Sequence, residues 1–391
     1  MIISDIDVTD RDGVRRVQAR ITWESCGRPD QTVFYETGPG HAAPLVPDPN
    51  AFLVGVVLPA WHQGERRIRV EGVLCPMLAD QLQAPLLTLG AWYDELGRPP
   101  AIEGSGLEAR VPTGDGALSL LSCGIDSLAT LRANRLWFRR NHPLAIRSCL
   151  LVDLVDDRNG NGASASNPDA AKVDAARRVC DDVGADVMVV RTNLWGLDGD
   201  GWFFAKSSFG AEFLSSAHCL SRDFRHAYIA ASLDAQHPFV PAGSSPLLDP
   251  YYSTAQLQVH HHGSYMPRLE RTRLVAEWPA GLDNIRVCVR DERGTTNCGT
   301  CEKCIRTMLS LVALGKLHES AAFEEDDVDR DLLQTVIQYR MIWVSNLADG
   351  YADLIPLLER RGRHDLVAGV HAILADFNAR AAAGDPDIIP G

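Results

Sequence analysis

The sequence predicts an α/β protein: a parallel sheet with helices on both faces, preceded by a small β-rich domain and followed by a helical tail. Three patterns carry that expectation. Between about 113 and 231, short strands alternate with helix-patterned stretches, the order that builds parallel sheets. Before 113, short β-branched runs stand between Gly, Pro and Asp turns. After about 321 only helical spacing remains. The expected domains are therefore 1–112, 113–320 and 321–391.

The elements follow in order. VRRVQARITW, QTVFYETG, AFLVGVVLPA and RRIRVEG read as strands, and the apolar stretch Pro76–Trp92 as helix. Gly97–Pro100 and Gly104–Gly106 read as loop, the best place for a domain boundary. ALSLLS is then a buried strand and IDSLATLRANRLWFRR a helix with apolar positions three and four apart. RSCLLVDLV is a strand, DAAKVDAARRVCDDVG a helix ending at Gly184, and ADVMVVRTN a strand. A helix over Glu212–Arg222 and a strand at HAYIAAS complete the alternation. VDRDLLQTVIQYRMIWVSNLA, YADLIPLLERRG and DLVAGVHAILADFNARA are helical, and PDIIPG should fray.

Composition narrows the function classes. The chain has 391 residues, long enough for two or three domains with a sizeable core. No apolar run approaches the ~18 residues of a membrane span. The start, MIISDIDVTDRDG, has neither the basic nor the apolar segment of a secretion signal, so a cytoplasmic protein is expected. A net charge of −13 disfavours nucleic-acid binding, which needs a positive face, but leaves room for a local basic pocket.

Ser122-Cys123-Gly124-Ile125-Asp126-Ser127 lies where a strand turns into a helix. A small Gly-bearing turn lets backbone N–H groups approach phosphate oxygens, and the helix N-terminus adds the positive end of its dipole. Ser122 and Ser127 can donate hydroxyl hydrogen bonds; Asp126 can hold Mg²⁺ or orient the loop. The bland alternative is an N-cap serine at an ordinary turn.

These residues resemble the S-G-G-x-D-S signature of the PP-loop ATP pyrophosphatases, the adenine nucleotide α-hydrolase-like superfamily with a HUP-like fold. The resemblance implies that Ser122, Cys123, Gly124, Ile125, Asp126 and Ser127 bind ATP, which is cleaved between its α- and β-phosphates to leave an adenylated substrate. It also implies that the strand end Leu151, Val152 and Asp153 meets adenine and ribose through its backbone. Cys123 departs from the signature, where a glycine is usual. A Cβ is unwelcome if that position needs positive φ.

Ten cysteines in a chain of this kind are thiols or metal ligands before they are disulfides. Six are scattered, but Cys288, Cys298, Cys301 and Cys304 fall in the spacing C-x9-C-x2-C-x2-C. Four thiolates with two tight loops can close a tetrahedral Zn²⁺ site; an iron–sulfur cluster is the second expectation. The pattern resembles the zinc element that ends the α/β domain of 7-cyano-7-deazaguanine synthase-like proteins. There the first cysteine follows a short strand, here IRVCV, and the last opens a helix, here EKCIRTMLSLVALG. Together the two motifs cover about 115–316. The N-terminal strands and the tail lie outside the resemblance and suggest a divergent branch with its own substrate.

Other candidates are weaker. Arg268 and Arg271, before the helical RLVAEW, match a segment from which the superfamily's synthetases aim a cation at the phosphates; a solvated helix start is the alternative. The loop Pro241–Pro246 could touch substrate or simply turn the chain. Asp153, Asp156 and Asp157 end a strand, where carboxylates are usually solvated. In His260-His261-His262 adjacent side chains point in different directions, so the triplet seldom converges on one ion. Cys149, Cys180 and Cys219 read as small core hydrophobes, whereas Cys123 would sit beside the nucleotide. The resemblance implies an AMP-forming ligase that takes ATP, Mg²⁺ and Zn²⁺, with a small-molecule substrate and an amine or ammonia donor as partners and a homodimer compatible with that reading. An adenylating sulfurtransferase and a nucleotide-binding module without catalysis are the alternatives.

Overall fold

The computed structural model describes residues 1–38, 43–155, 170–237, 240–288, 297–338, 345–385 and 388. The carboxylates of Asp156 and Asp157 and, Ile388 apart, the fraying expected at 386–391 lie outside those residues. The chain divides into two compact units that interleave along the sequence. The first holds Met1–Leu121, Asn134–Ser232 and Pro241–His262; the second holds Ser122–Ala133, Leu233–Val240 and Gly263–Gly391.

The first unit is α/β, built on one mostly parallel sheet. Its strands are β1 (Ile2–Arg11), β2 (Val14–Thr22), β3 (Gln31–Thr37), β4 (Arg67–Leu74), β5 (Ala101–Leu107), β6 (Gly116–Leu120), β7 (Ile146–Leu154), β8 (Asp186–Thr192), β9 (Phe224–Ala230) and β10 (Gln258–His262). Their order is β10-β9-β6-β7-β8-β3-β2-β1-β4-β5. β6 pairs in parallel with both β7 and β9, so the chain winds outward through β7 and β8 and returns to β6's other side. Such a reversal is where open α/β sheets bind ligands, at the carboxyl strand ends.

The strands of the first 112 residues join this sheet instead of closing one of their own. β3 pairs antiparallel with β8, Tyr35 opposite Thr192. Backbone pairing has no sequence signature across so long a separation, which is why those strands read as a separate β-rich region.

Three readings are corrected. AFLVGVVLPA is not a strand but the middle of a helix, Pro49–His62, buried from Pro49 to Trp61. An unbroken apolar run does not distinguish a buried strand from a helix surrounded by protein. The local signals were Asp48, whose side chain accepts the Asn50 N–H, and Pro49 at the first helical position. Gly104–Gly106 lies inside β5, an edge strand paired among the described residues with β4 alone, whose mostly exposed residues need no apolar alternation. Ile285–Cys288 is not a strand, because its backbone is paired with the Asn297 side chain: Val287 and Cys288 donate to Asn297 Oδ1 at 2.9 and 3.3 Å. β1 and β10 were not anticipated; β10 carries the histidine triplet.

The second unit contains the helices Arg268–Ala276, Glu302–Leu314, Arg330–Gln338, Ser345–Ala352, Ile355–Arg360 and His364–Ala382. The last packs against the three before it, and Glu302–Leu314 packs against Arg268–Ala276, Arg330–Gln338 and Ile355–Arg360. Among the described residues no helix is long and apolar enough to cross a membrane.

Candidate functional site: a charged loop and a four-cysteine group

The helix Ile125–Trp137 opens immediately after the Ser122–Gly124 turn that follows β6. Ser127 Oγ donates to Gly124 O at 3.0 Å and lies 3.3 Å from Ser122 Oγ, which in turn accepts the Gly124 N–H at 3.3 Å. Both serines are thus spent on holding a compact turn. Cys123 takes φ +59° with its side chain buried. This is the left-handed conformation that costs an ordinary L-residue about 1–2 kcal/mol, and it explains why glycine suits that position. The Cys123 carbonyl accepts the Arg286 N–H at 2.8 Å, one contact that holds the strained residue in place.

Asp126, in the first turn, is the electrostatic centre. Arg268 Nη1 lies 3.2 and 3.1 Å from its two oxygens, and Arg271 Nη1 lies 2.6 Å from Oδ1. The sequence did not choose between the arginines, and the structure uses both. They open the helix Arg268–Ala276 three residues apart, so one face presents them together. Arg271 is fully buried and its Nε donates to Met266 O at 2.8 Å, which fixes the guanidinium plane. Burial pushes the Asp126 carboxyl up, but the Arg268 and Arg271 charges outweigh it and hold the pKa below its usual value. Burial, then the Arg306 charge, brings Arg268 down to about 10. With its carboxylate engaged by two arginines, Asp126 orients cations.

Cys288, Cys298, Cys301 and Cys304 come together with all four Sγ atoms within 4.8 Å of one another. Sγ of Cys304 is 4.0 Å from that of Cys298 and 3.4 Å from that of Cys301. Tetrahedral Zn–S bonds of ~2.3 Å need sulfurs roughly 3.8 Å apart, so the group fits such a metal. It could hold a metal such as zinc. Local structure explains the approach. Cys298 Sγ accepts the Cys301 N–H at 3.3 Å, and Gly299 turns at φ +66°, where a Cβ would meet the Glu325 carboxylate. Cys301 caps the helix Glu302–Leu314, whose third residue is Cys304. Burial raises the Cys298 thiol, yet hydrogen bonds from Thr300 and Cys301 bring it below its usual pKa, favouring thiolate.

Sequence reading missed the residues that brace these two features. Asn297, nearly buried, donates to Ile285 O at 2.9 Å and Ala322 O at 2.8 Å while accepting from Val287 and Cys288, tying the arms of the cysteine element together. Glu302 pairs with Arg306 at 3.0 Å and accepts from Tyr351 Oη at 3.3 Å. The Glu–Arg spacing of four, starting between Cys301 and Cys304, was the available signal.

The remaining candidates fall in the first unit. Leu151 is buried against Val173 and Val189, Val152 is half-buried, and Asp153 lies 3.4 Å from Arg191 Nε. The Pro241–Pro246 loop and the histidine triplet meet at one carboxylate: Asp249 Oδ2 accepts from Ser244 Oγ at 2.6 Å and pairs with His261 Nδ1 at 2.7 Å. His260 Nε2 instead lies 3.0 Å from His226 Nδ1, so neighbouring histidines do face opposite ways. Burial first, then the like charges of His260 and Arg225, lower His226 to about 4. Among the described residues the cysteines form the group suited to a metal, and the triplet does not. Cys149, Cys180 and Cys219 are buried.

Fold and site together define a mostly parallel α/β protein with a four-cysteine group suited to a metal. Comparison of the chain with protein-family models, curated proteins and solved structures yields no match.

Proposed function

We propose that the chain is an AMP-forming, ATP-dependent ligase of the PP-loop type, akin to 7-cyano-7-deazaguanine synthase-like proteins. Convergence of Arg268 and Arg271 on Asp126 supports this reading most: it aims two cations at the loop that resembles the superfamily's signature. In this reading Ser122–Ser127 receive the phosphates of Mg·ATP. Oxygen of a small carboxylate or carbonyl substrate attacks the α-phosphorus, the α–β bridge breaks, and pyrophosphate leaves with its negative charge neutralised by the arginines. An amine or ammonia then attacks the adenylated carbon and AMP departs. Positioning and charge neutralisation supply the catalysis.

The test is product analysis. With Mg·ATP and a library of small acids, AMP and pyrophosphate should form in equal amounts. ADP with phosphate as the main products would remove the chain from this chemistry, and ATP binding without turnover would favour a non-catalytic module. One observation keeps adenylating sulfur transfer as a second reading: Cys123 occupies a strained loop position where glycine would be easier.

A further inference from the structure

Among the described residues three histidines pair with aspartates, and they differ in how many ring nitrogens they use. His62 and His261 each pair through Nδ1 alone, with Asp198 and Asp249. A neutral imidazole has one N–H and supplies that bond. His237 uses both nitrogens: Nδ1 lies 3.0 Å from Asp234 Oδ1, and Nε2 lies 2.8 Å from Asp349 Oδ2. Carboxylates only accept hydrogen bonds, so two of them on opposite edges of one ring demand two N–H groups. Only the imidazolium has two. The two carboxylates come from distant parts of the chain. Asp234 opens a turn in the segment 233–240, which follows β9. Its Oδ1 also accepts the Gln236 N–H at 3.0 Å, and the Ala235 N–H donates to Ser264 O at 2.7 Å. Asp349 belongs to the helix Ser345–Ala352. Asp353, whose N–H donates to Asp349 O at 2.9 Å, adds a third carboxylate; burial first, then the Asp349 and Asp234 charges, raise it. Burial by itself would lower His237, but its hydrogen bonds to Asp234 and Asp349, and their charges, raise it above the usual 6.5.

We propose that His237 is a proton-operated clasp between the segment 233–240 and the helix Ser345–Ala352. Protonated, the ring bridges Asp234 and Asp349 and ties to that helix the stretch of chain that joins β9 to the Pro241–Pro246 loop. Deprotonated, it leaves one carboxylate facing a ring lone pair, with Asp234, Asp349 and Asp353 all negative around a neutral group, and segment and helix part. Because the proton is bound more tightly in the bridged state than by a free histidine, the clasp is fully formed below the free value of 6.5 and is lost as pH rises through the raised one. The clasp stands whether or not Ser122–Ser127 bind a nucleotide. The competing account is a fixed structural pair that does not respond to the proton.

Two measurements on the full chain separate these accounts: NMR titration of the His237 ring, and amide hydrogen exchange of residues 233–240 corrected for the intrinsic pH dependence of exchange. The ring should titrate above 6.5. Protection of the segment should fall at least about threefold between about pH 6 and 9, the worth of half a pKa unit. Asp349→Asn replaces an acceptor by an amide that can donate to the neutral ring's Nε2, so its protection should hold at both pH values. His237→Gln should show the parent's high-pH protection at both. A ring that titrates at or below 6.5 overturns the proposal, and so does parent protection that does not change with pH. Protection in Asp349→Asn that falls with pH as the parent's does overturns it as well, since the second N–H would then not be what closes the clasp.

Discussion

Asp126 of the second unit is a half-buried carboxylate and Glu212 of the first a fully buried one, and their surroundings send them in opposite directions. Asp126 sits between two guanidinium groups and stays ionised, below the usual carboxylate range. Glu212, in the helix Phe209–His218, has no cation beside it among the described residues. Burial, with the Asp198 charge adding, raises it to about 8, although Ser208 Oγ donates to Oε1 at 2.5 Å; among the described residues Oε2 has no hydrogen-bond partner. Glu212 is therefore a neutral acid at pH 7. Burial likewise lowers His226 and His262 of the first unit to about 4, whereas the buried Met1 ammonium and Glu65 of the same unit stay charged as a pair at 2.6 Å. In the second unit Asp126 and Glu302 are held by paired arginines. Retained charge is expensive, and that expense marks the region where chemistry is to be sought.

The largest effect should come from the support of the charged set. Cys301→Ser removes one thiol of the group that could hold a metal such as zinc, and because the unfolded chain does not hold the site, metal affinity would be folding energy. Soluble yield and Tm should fall sharply, and zinc should drop from about one per chain toward none in elemental analysis. A brown, iron-containing protein with labile sulfide would overturn the zinc assignment and strengthen sulfur transfer.

Asp126→Asn tests the pairing itself. It removes the Asp126 charge from the buried Arg271, so AMP formation should fall about 10²–10³-fold, the range for losing one preorganised group aimed at developing charge. Stability should fall as well, by at most the ~3–5 kcal/mol of breaking a buried pair, since Asp126 keeps 24% of its side chain exposed. Unchanged turnover would mean the two arginines are structural.

Glu212→Gln tests the neutral side. The folded state binds this proton more tightly than the unfolded chain, whose pKa is about 4.5. Between roughly pH 4.5 and 8 the unfolded chain therefore carries fewer protons, and stability falls as pH rises, by up to ~1.4 kcal/mol per unit. Thermal unfolding of Glu212→Gln across that window should lose much of this slope and exceed the parent's Tm above pH 8. An unaltered slope would show that Glu212 is ionised and the contrast with Asp126 false.

The smallest effect is Cys123→Gly. Relief of positive φ should contribute about 1 kcal/mol, offset in part by lost burial, with AMP formation retained or improved. Complete loss of turnover with intact ATP binding would instead support a sulfur-carrying role for Cys123.

Much of this protein was written locally. The C-x2-C steps, the Gly299 turn and the helix after Cys301 lie within a few residues of each other, so spacing alone announced a metal-sized group. The loop Ser122–Ser127 declared itself the same way, as did β6 through β9, because apolar period and turn residues are short-range signals. What tertiary structure decided was every partnership across long separations. Asp126 meets Arg268 and Arg271 more than a hundred residues on, Asn297 ties the two arms of the cysteine element, and Ser244 and His261 share Asp249. It also decided that Pro49–His62 is a helix and that β3 continues the sheet through β8. A run buried on all sides has no period, and a backbone ladder places no demand on side-chain identity. Those outcomes depend on what packs against the chain, which no single stretch of sequence contains.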